Sequence, residues 1–84
     1  MHDLHVADQV FRLVLAEAEK NQFKKIAQIN IELGSVLEHR ATIVPENLKF
    51  NIEMLSQGTL AQGAKVVIDN MDGSSWKLVS IRGE

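Results

Sequence analysis

The chain has 84 residues, 45% of them hydrophobic and 24% charged. That is enough for one small core and too apolar for a disordered segment. A net charge of −2 and a pI near 5.9 argue against a nucleic-acid binder and against an anionic-membrane binder, both of which draw on a basic surface. The absence of cysteine removes disulfides, thiolate catalysis, iron–sulfur clusters and cysteine-based zinc sites together. No apolar run is long enough to span a bilayer, and the first residues lack the basic and apolar regions of a secretory signal, so the cytoplasm is the expected location.

The first element predicted is a helix from Leu4 to about Lys20. Leu4, Ala7, Val10, Phe11, Val14 and Ala18 recur along one face, and Leu13 and Leu15 widen it. Asp3 can cap its start, and Asn21 supplies a stop. Lys25–Leu33 alternates, with Ala27, Ile29, Ile31 and Leu33 on one side and Gln28, Asn30 and Glu32 on the other. This predicts a half-buried strand closed by Gly34. Residues 35–44 show no clean period and read as an ordered loop with room for one helical turn.

Pro45 suits the first position of a second helix, running to about Ser56 and stopped by Gly58. Leu48, Ile52 and Leu55 make one apolar face; Phe50 and Met54 make another, nearly opposite. Phe50 and Met54 therefore line a partner or homodimer interface, or lie under the 35–44 loop. Ala64–Ile68 reads as a strand. Asp69–Ser74 has turn chemistry, with Asp72-Gly73 as a hairpin signal. Trp76–Ile81 alternates, placing Trp76, Leu78 and Ser80 on one side and Lys77, Val79 and Ile81 on the other. The predicted fold is α+β: a single two-layer domain over residues 1–84, two helices on one face of a three-stranded sheet, in the order αβαββ.

Enzyme motifs are absent. There is no nucleophile elbow, no phosphate-cradling glycine loop and no His-Glu-x-x-His, and the carboxylates are spaced as solvated faces. The chemistry sits at the start. Met1-His2-Asp3 sets an imidazole beside an α-amine, and Met1 is expected to be retained because His2 is not small. The Met1 amine, the His2 amide and the His2 imidazole can close fused chelate rings on one metal ion, with the Asp3 amide or carboxylate as a fourth donor. Such a nitrogen-rich set suits Ni(II) or Cu(II). His5, three residues after His2, is either an exposed helix position or a supporting ligand. His39 is either a loop residue or a ligand folded back or offered to a second subunit.

Met1-His2-Asp3-Leu4 resembles the Met-His-Glu-Leu opening of the HypA family of nickel metallochaperones. The likeness continues through the first helix, the Ala27–Gly34 strand, Pro45-Glu-Asn-Leu-Lys-Phe50, Gly58-Thr-Leu-Ala-Gln-Gly-Ala64 and Trp76-Lys-Leu-Val-Ser-Ile81. The resemblance implies a carrier, not an enzyme, that delivers Ni(II) during maturation of a nickel enzyme, with nickel–iron hydrogenase the first candidate. It implies a maturation GTPase of the HypB kind or an apo-hydrogenase as partner. It assigns nickel to His2 with the Met1 amine and neighbouring amides, and matches Asp3 to the family's acidic residue. Three departures stand out. The family's zinc-binding lobe with two Cys-x-x-Cys pairs has no counterpart, its place being taken by residues 69–75, so no zinc is expected. Asp3 replaces Glu, and the 35–44 loop is longer than is usual. The alternative is a diverged interaction or dimerisation module that keeps the fold without delivering metal.

Overall fold

The fold is given by a computed structural model that describes residues 3–38 and 41–84. Helix α1 (Asp3–Lys20) is followed by β1 (Ile26–Leu33), the short strands β2 (Leu37–Glu38) and β3 (Ala41–Thr42), helix α2 (Pro45–Leu55), β4 (Lys65–Asn70) and β5 (Trp76–Gly83). The two helices pack on each other, α1 also meeting β5 and α2 also meeting β4. This is the predicted two-layer α+β arrangement, with β2 and β3 added.

The buried stripe of α1 is Val6, Ala7, Val10, Phe11, Val14 and Ala18. Leu13, expected to widen it, is exposed instead, because it lies beyond the arc that meets α2 and the sheet. The helix ends in a left-handed turn. Gln22 takes φ +58, and the N–H groups of Gln22 and Phe23 return to the carbonyls of Glu19 and Ala18 at 3.1 and 2.9 Å. The Asn21 amide donates to the Glu17 carbonyl at 2.8 Å.

Strand β1 is central, between β4 (parallel) and β5 (antiparallel). Ile29, Ile31 and Leu33 point into the core as predicted. Ala27 does not. It is exposed and Ile26 is buried in its stead, because the pairing with β5 slips between Ile26 and Gln28 and reverses the alternation there. A second slip, between Asn30 and Ile31, leaves Val79 of β5 as the extra residue. Ile81 therefore joins Trp76 and Leu78 against the core, rather than facing away from them. Ser80 turns outward and accepts a hydrogen bond from the Asn30 amide at 3.0 Å.

Against the expected loop with a helical turn, the described residues of the 35–44 stretch pair as a short antiparallel ladder, with Leu37 opposite Thr42 and Glu38 opposite Ala41. The Ile43 N–H donates to the Val36 carbonyl at 2.9 Å. The Ser35–Val44 stretch reads poorly from sequence because two-residue strands cannot show alternation, and His39-Arg40 carries no glycine or asparagine turn signature. Ile43 is buried and gives the hairpin its hold on the core.

Helix α2 starts at Pro45, buries Leu48 and Ile52, and ends at Ser56. The buried Ser56 hydroxyl donates to the Ile52 carbonyl at 2.7 Å. Gly58 follows with φ +76, a conformation that favours glycine. A compact turn then carries buried Ala61 and lets the Leu60 carbonyl accept from Ile26 N–H at 2.8 Å, tying it to the start of β1.

The predicted hairpin at Asp72-Gly73 is not formed, since β4 and β5 lie on opposite sides of β1. Met71–Ser75 instead crosses the end of β1. Met71 N–H donates to the Leu33 carbonyl at 3.1 Å, Ser35 N–H to Gly73 at 2.9 Å and Gly34 N–H to Ser75 at 2.8 Å. The local turn chemistry holds, as Gly73 has φ +101. What it joins is decided by two strands sharing the most apolar one.

Candidate metal centre at the amino-terminal end of α1

Short connections fix where the functional end lies. Five residues, Asn21–Lys25, return the chain from α1 to β1, so α1 begins beside the end of β1. Helix α2 begins at that end as well, because Leu33, Gly34, Ser35, Thr42, Ile43, Pro45, Asn70 and Met71 line one shallow depression. The described flanks of His2 and His39, namely Asp3 on one side and Glu38 and Ala41 on the other, thus belong to the same end of the molecule.

Met1, His2 and His39, three of the expected metal ligands, lie outside the described residues. Asp3 is the first described residue of α1, and its side chain, expected to cap the helix, lies outside the description. The N–H groups of a helix's first turn have no intrahelical acceptor. The Asp3 amide is therefore not committed to the ladder of α1. His5 is exposed on the first turn, its Nε2 3.5 Å from the Gln9 Nε2. Among the described residues no three histidine, aspartate or glutamate side chains converge as a metal site.

Phe50 and Met54 are 59% and 49% exposed. The 35–44 segment folds on itself as β2 and β3 and does not bury them, which rules out covering by that loop. Val44 and Val79 are further exposed apolar residues, and sequence reasoning had not singled them out. Val79 lies on the side away from Trp76 and Leu78, where alternation places it; the slip in β5 adds Ser80 to that side.

A model of a protein family described as hydrogenase/urease nickel incorporation, metallochaperone, HypA, matches residues 1–76. The chain belongs to the HypA family. It is similar to the hydrogenase maturation factor HypA of Bradyrhizobium sp., 35% identical over 78 residues, covering 93% of this chain and 66% of that one. It is also similar to the factor of Archaeoglobus fulgidus, 37% identical over 68 residues, covering 81% and 58%. For that of Methanothermobacter thermautotrophicus the identity is 34% over 65 residues, covering 77% and 50%. The chain thus spans about half to two-thirds of these HypA relatives. Its fold is that of the nickel metallochaperone HypA from Helicobacter pylori, with a TM-score of 0.80, 16% identity, and coverage of 99% of this chain and 97% of that one.

Proposed function

We propose that this HypA-family chain is a cytoplasmic nickel carrier, not an enzyme, that delivers Ni(II) during maturation of a nickel enzyme, with nickel–iron hydrogenase as the client. The observation that carries this reading is the Met1-His2-Asp3 opening immediately ahead of a helix that begins at Asp3. The Met1 amine, His2 amide and His2 imidazole chelate the ion, and Asp3 supplies the fourth donor. A cation at a helix amino terminus meets the positive end of the dipole. A deprotonated amide and a carboxylate in the ligand set offset that repulsion, so the Asp3 charge matters as well as its oxygen atoms. His5 and His39 are secondary ligands, His5 one turn along α1 and His39 between β2 and β3.

Release follows from protonation. An unperturbed α-amine titrates at about 7.7–8.0 and a free imidazole at about 6.5, so protons compete with metal for two donors near neutral pH. Copper(II) binds such nitrogen ligands at least as tightly as nickel. Selectivity therefore rests on metal supply or on the acceptor, a HypB-like GTPase or the apo-hydrogenase. No zinc takes part, because the chain has no thiolate, and the zinc lobe's place is taken by the Met71–Ser75 crossing. Phe50 and Met54 form an interface for a partner or a second copy, a role supported by their exposure. Nickel titration by calorimetry of the untagged protein and of His2→Ala tests the assignment. Equal affinity for the two would move the reading to a docking module that carries no metal.

A further inference from the structure

Five of the nine basic residues collect at the end of the sheet remote from the start of α1. Lys20 closes α1, and Lys24 and Lys25 lie in the connection to β1, both N–H groups donating to the Glu84 carbonyl at 2.6 and 3.1 Å. Lys65 on β4 and Arg82 on β5 both sit opposite Gln28 of β1, so the three make one row across the face away from the helices. All five basic side chains are exposed. The acidic residues nearby are Glu17, Glu19, Glu84 and, on the last turn of α2 in the helix layer, Glu53, leaving this end with a formal charge of +1 on a chain whose remaining four basic and seven acidic residues give −3. Among the described residues the one ion pair is Arg12–Asp8, elsewhere on α1. The five cations are not consumed inside the protein.

We propose that this end is a docking surface for an acidic patch on a partner protein, so that the chain is held there while its opposite end stays open. The docking stands on charge and register alone; the use of the free end for metal rests on the nickel reading above. A compact acidic patch fits better than the other polyanions. A nucleic acid long enough to extend past the row meets the negative remainder of the chain, and its binding depends on displaced counterions over many phosphates. An anionic membrane would find no large apolar side chain to insert beside the Lys65–Arg82 row: the exposed ones are Leu13, Val44, Phe50, Met54 and Val79, and Met54, the one toward this end, sits on α2 in the helix layer. Strand β1 separates the two ends by about 26 Å for its eight residues. That exceeds the Debye length of about 8–10 Å at physiological salt, so occupancy at one end leaves the other electrostatically undisturbed.

The test is a titration of isotope-labelled, untagged protein with a short glutamate-rich peptide, followed by nuclear magnetic resonance. Single-stranded DNA and phosphatidylserine vesicles serve as competing probes. Shifts are expected at Lys20, Lys24, Lys25, Gln28, Lys65 and Arg82, fading as salt rises past about 0.3 M. The variant carrying Lys24→Glu, Lys25→Glu, Lys65→Glu and Arg82→Glu should bind the peptide at least about tenfold more weakly, the combined effect of four exposed pairs. Its nickel affinity and melting temperature should be unchanged. If that variant fails to fold, Lys65→Gln and Arg82→Gln together should weaken binding about two- to threefold. Peptide shifts centred elsewhere, equal binding by the variants, or tighter binding of DNA or vesicles would overturn the proposal. Loss of nickel binding in His2→Ala with peptide binding intact, or the reverse, separates the two readings.

Discussion

Gly34→Ala tests the crossing of Met71–Ser75 over β1, the feature that most distinguishes this fold from the simple hairpin its sequence suggests. A Cβ placed at residue 34 would lie 2.5 Å from the Gly73 carbonyl oxygen, and 3.0 Å from both the Gly73 carbonyl carbon and the Ser75 oxygen. All three are backbone atoms, so no side-chain rotation relieves the clash. The crossing must move outward, stretching the bonds Gly34 N–H to Ser75 and Ser35 N–H to Gly73, now 2.8 and 2.9 Å. Overpacking against fixed atoms costs about 1–3 kcal/mol, and weakening two hydrogen bonds adds about 0.5–1.5 kcal/mol each at most. A net loss of about 2–4 kcal/mol is expected, against a total stability of about 4–13 kcal/mol for a chain of this length.

The sign is the informative part. Gly34 is not among the glycines with positive φ. Without the crossing, alanine there would be neutral or would stabilise by about 0.4–1 kcal/mol through the unfolded state. Urea unfolding followed by far-ultraviolet circular dichroism reads the difference, with a drop in melting temperature of about 8 °C or more as a second measure. A midpoint equal to or above that of the wild type, with unchanged slope, would refute the strand order β4-β1-β5.

Ile29→Ala removes a fully buried side chain from the middle of β1 and should cost about 2–5 kcal/mol by denaturant unfolding, with nickel stoichiometry of the folded fraction unchanged. Phe50→Ser and Met54→Ser should leave the melting temperature within a few degrees, since both side chains are largely exposed; if this face binds a second copy, light scattering should show the wild type alone associating. His2→Ala should abolish tight nickel binding, and wild-type affinity should fall as pH drops from about 8 to about 6, because protons occupy the amine and then the imidazole; pH-independent calorimetric affinity would exclude that donor set. Elemental analysis of chelator-treated protein should show no stoichiometric zinc, and circular dichroism should be unchanged by chelator, because the Met71–Ser75 crossing is held by backbone hydrogen bonds to Leu33, Gly34 and Ser35.

Both helices are legible in the residues alone, because each carries enough turns for the 3.6-residue period to show: Ala7, Val10, Phe11, Val14 and Ala18 in one, Leu48 and Ile52 behind Pro45 in the other. The inward set Ile29, Ile31 and Leu33 was legible too, and Phe50 and Met54 stood out as a second apolar face, but that the monomer leaves this face uncovered by the 35–44 segment came from the structure. The likeness of the amino-terminal tetrapeptide and later motifs to the HypA family was also legible, since it is carried by residue identity and needs no geometry. Which strands pair is set by long-range packing that no local stretch encodes. Asp72-Gly73 specifies a turn, and a turn is a local property; whether the flanking strands meet depends on which backbone edges pair, and here β4 and β5 each pair with a different edge of β1. The two register slips were illegible for the same reason. Each is a mismatch in length between paired strands, which no single strand records, yet they set Ala27 and Ser80 outside and Ile26 and Ile81 inside. The basic end is a product of topology too. Lys24, Lys25, Lys65 and Arg82 are scattered along the chain, and they come together because β1 and β4 start, and β5 finishes, at one end of the sheet.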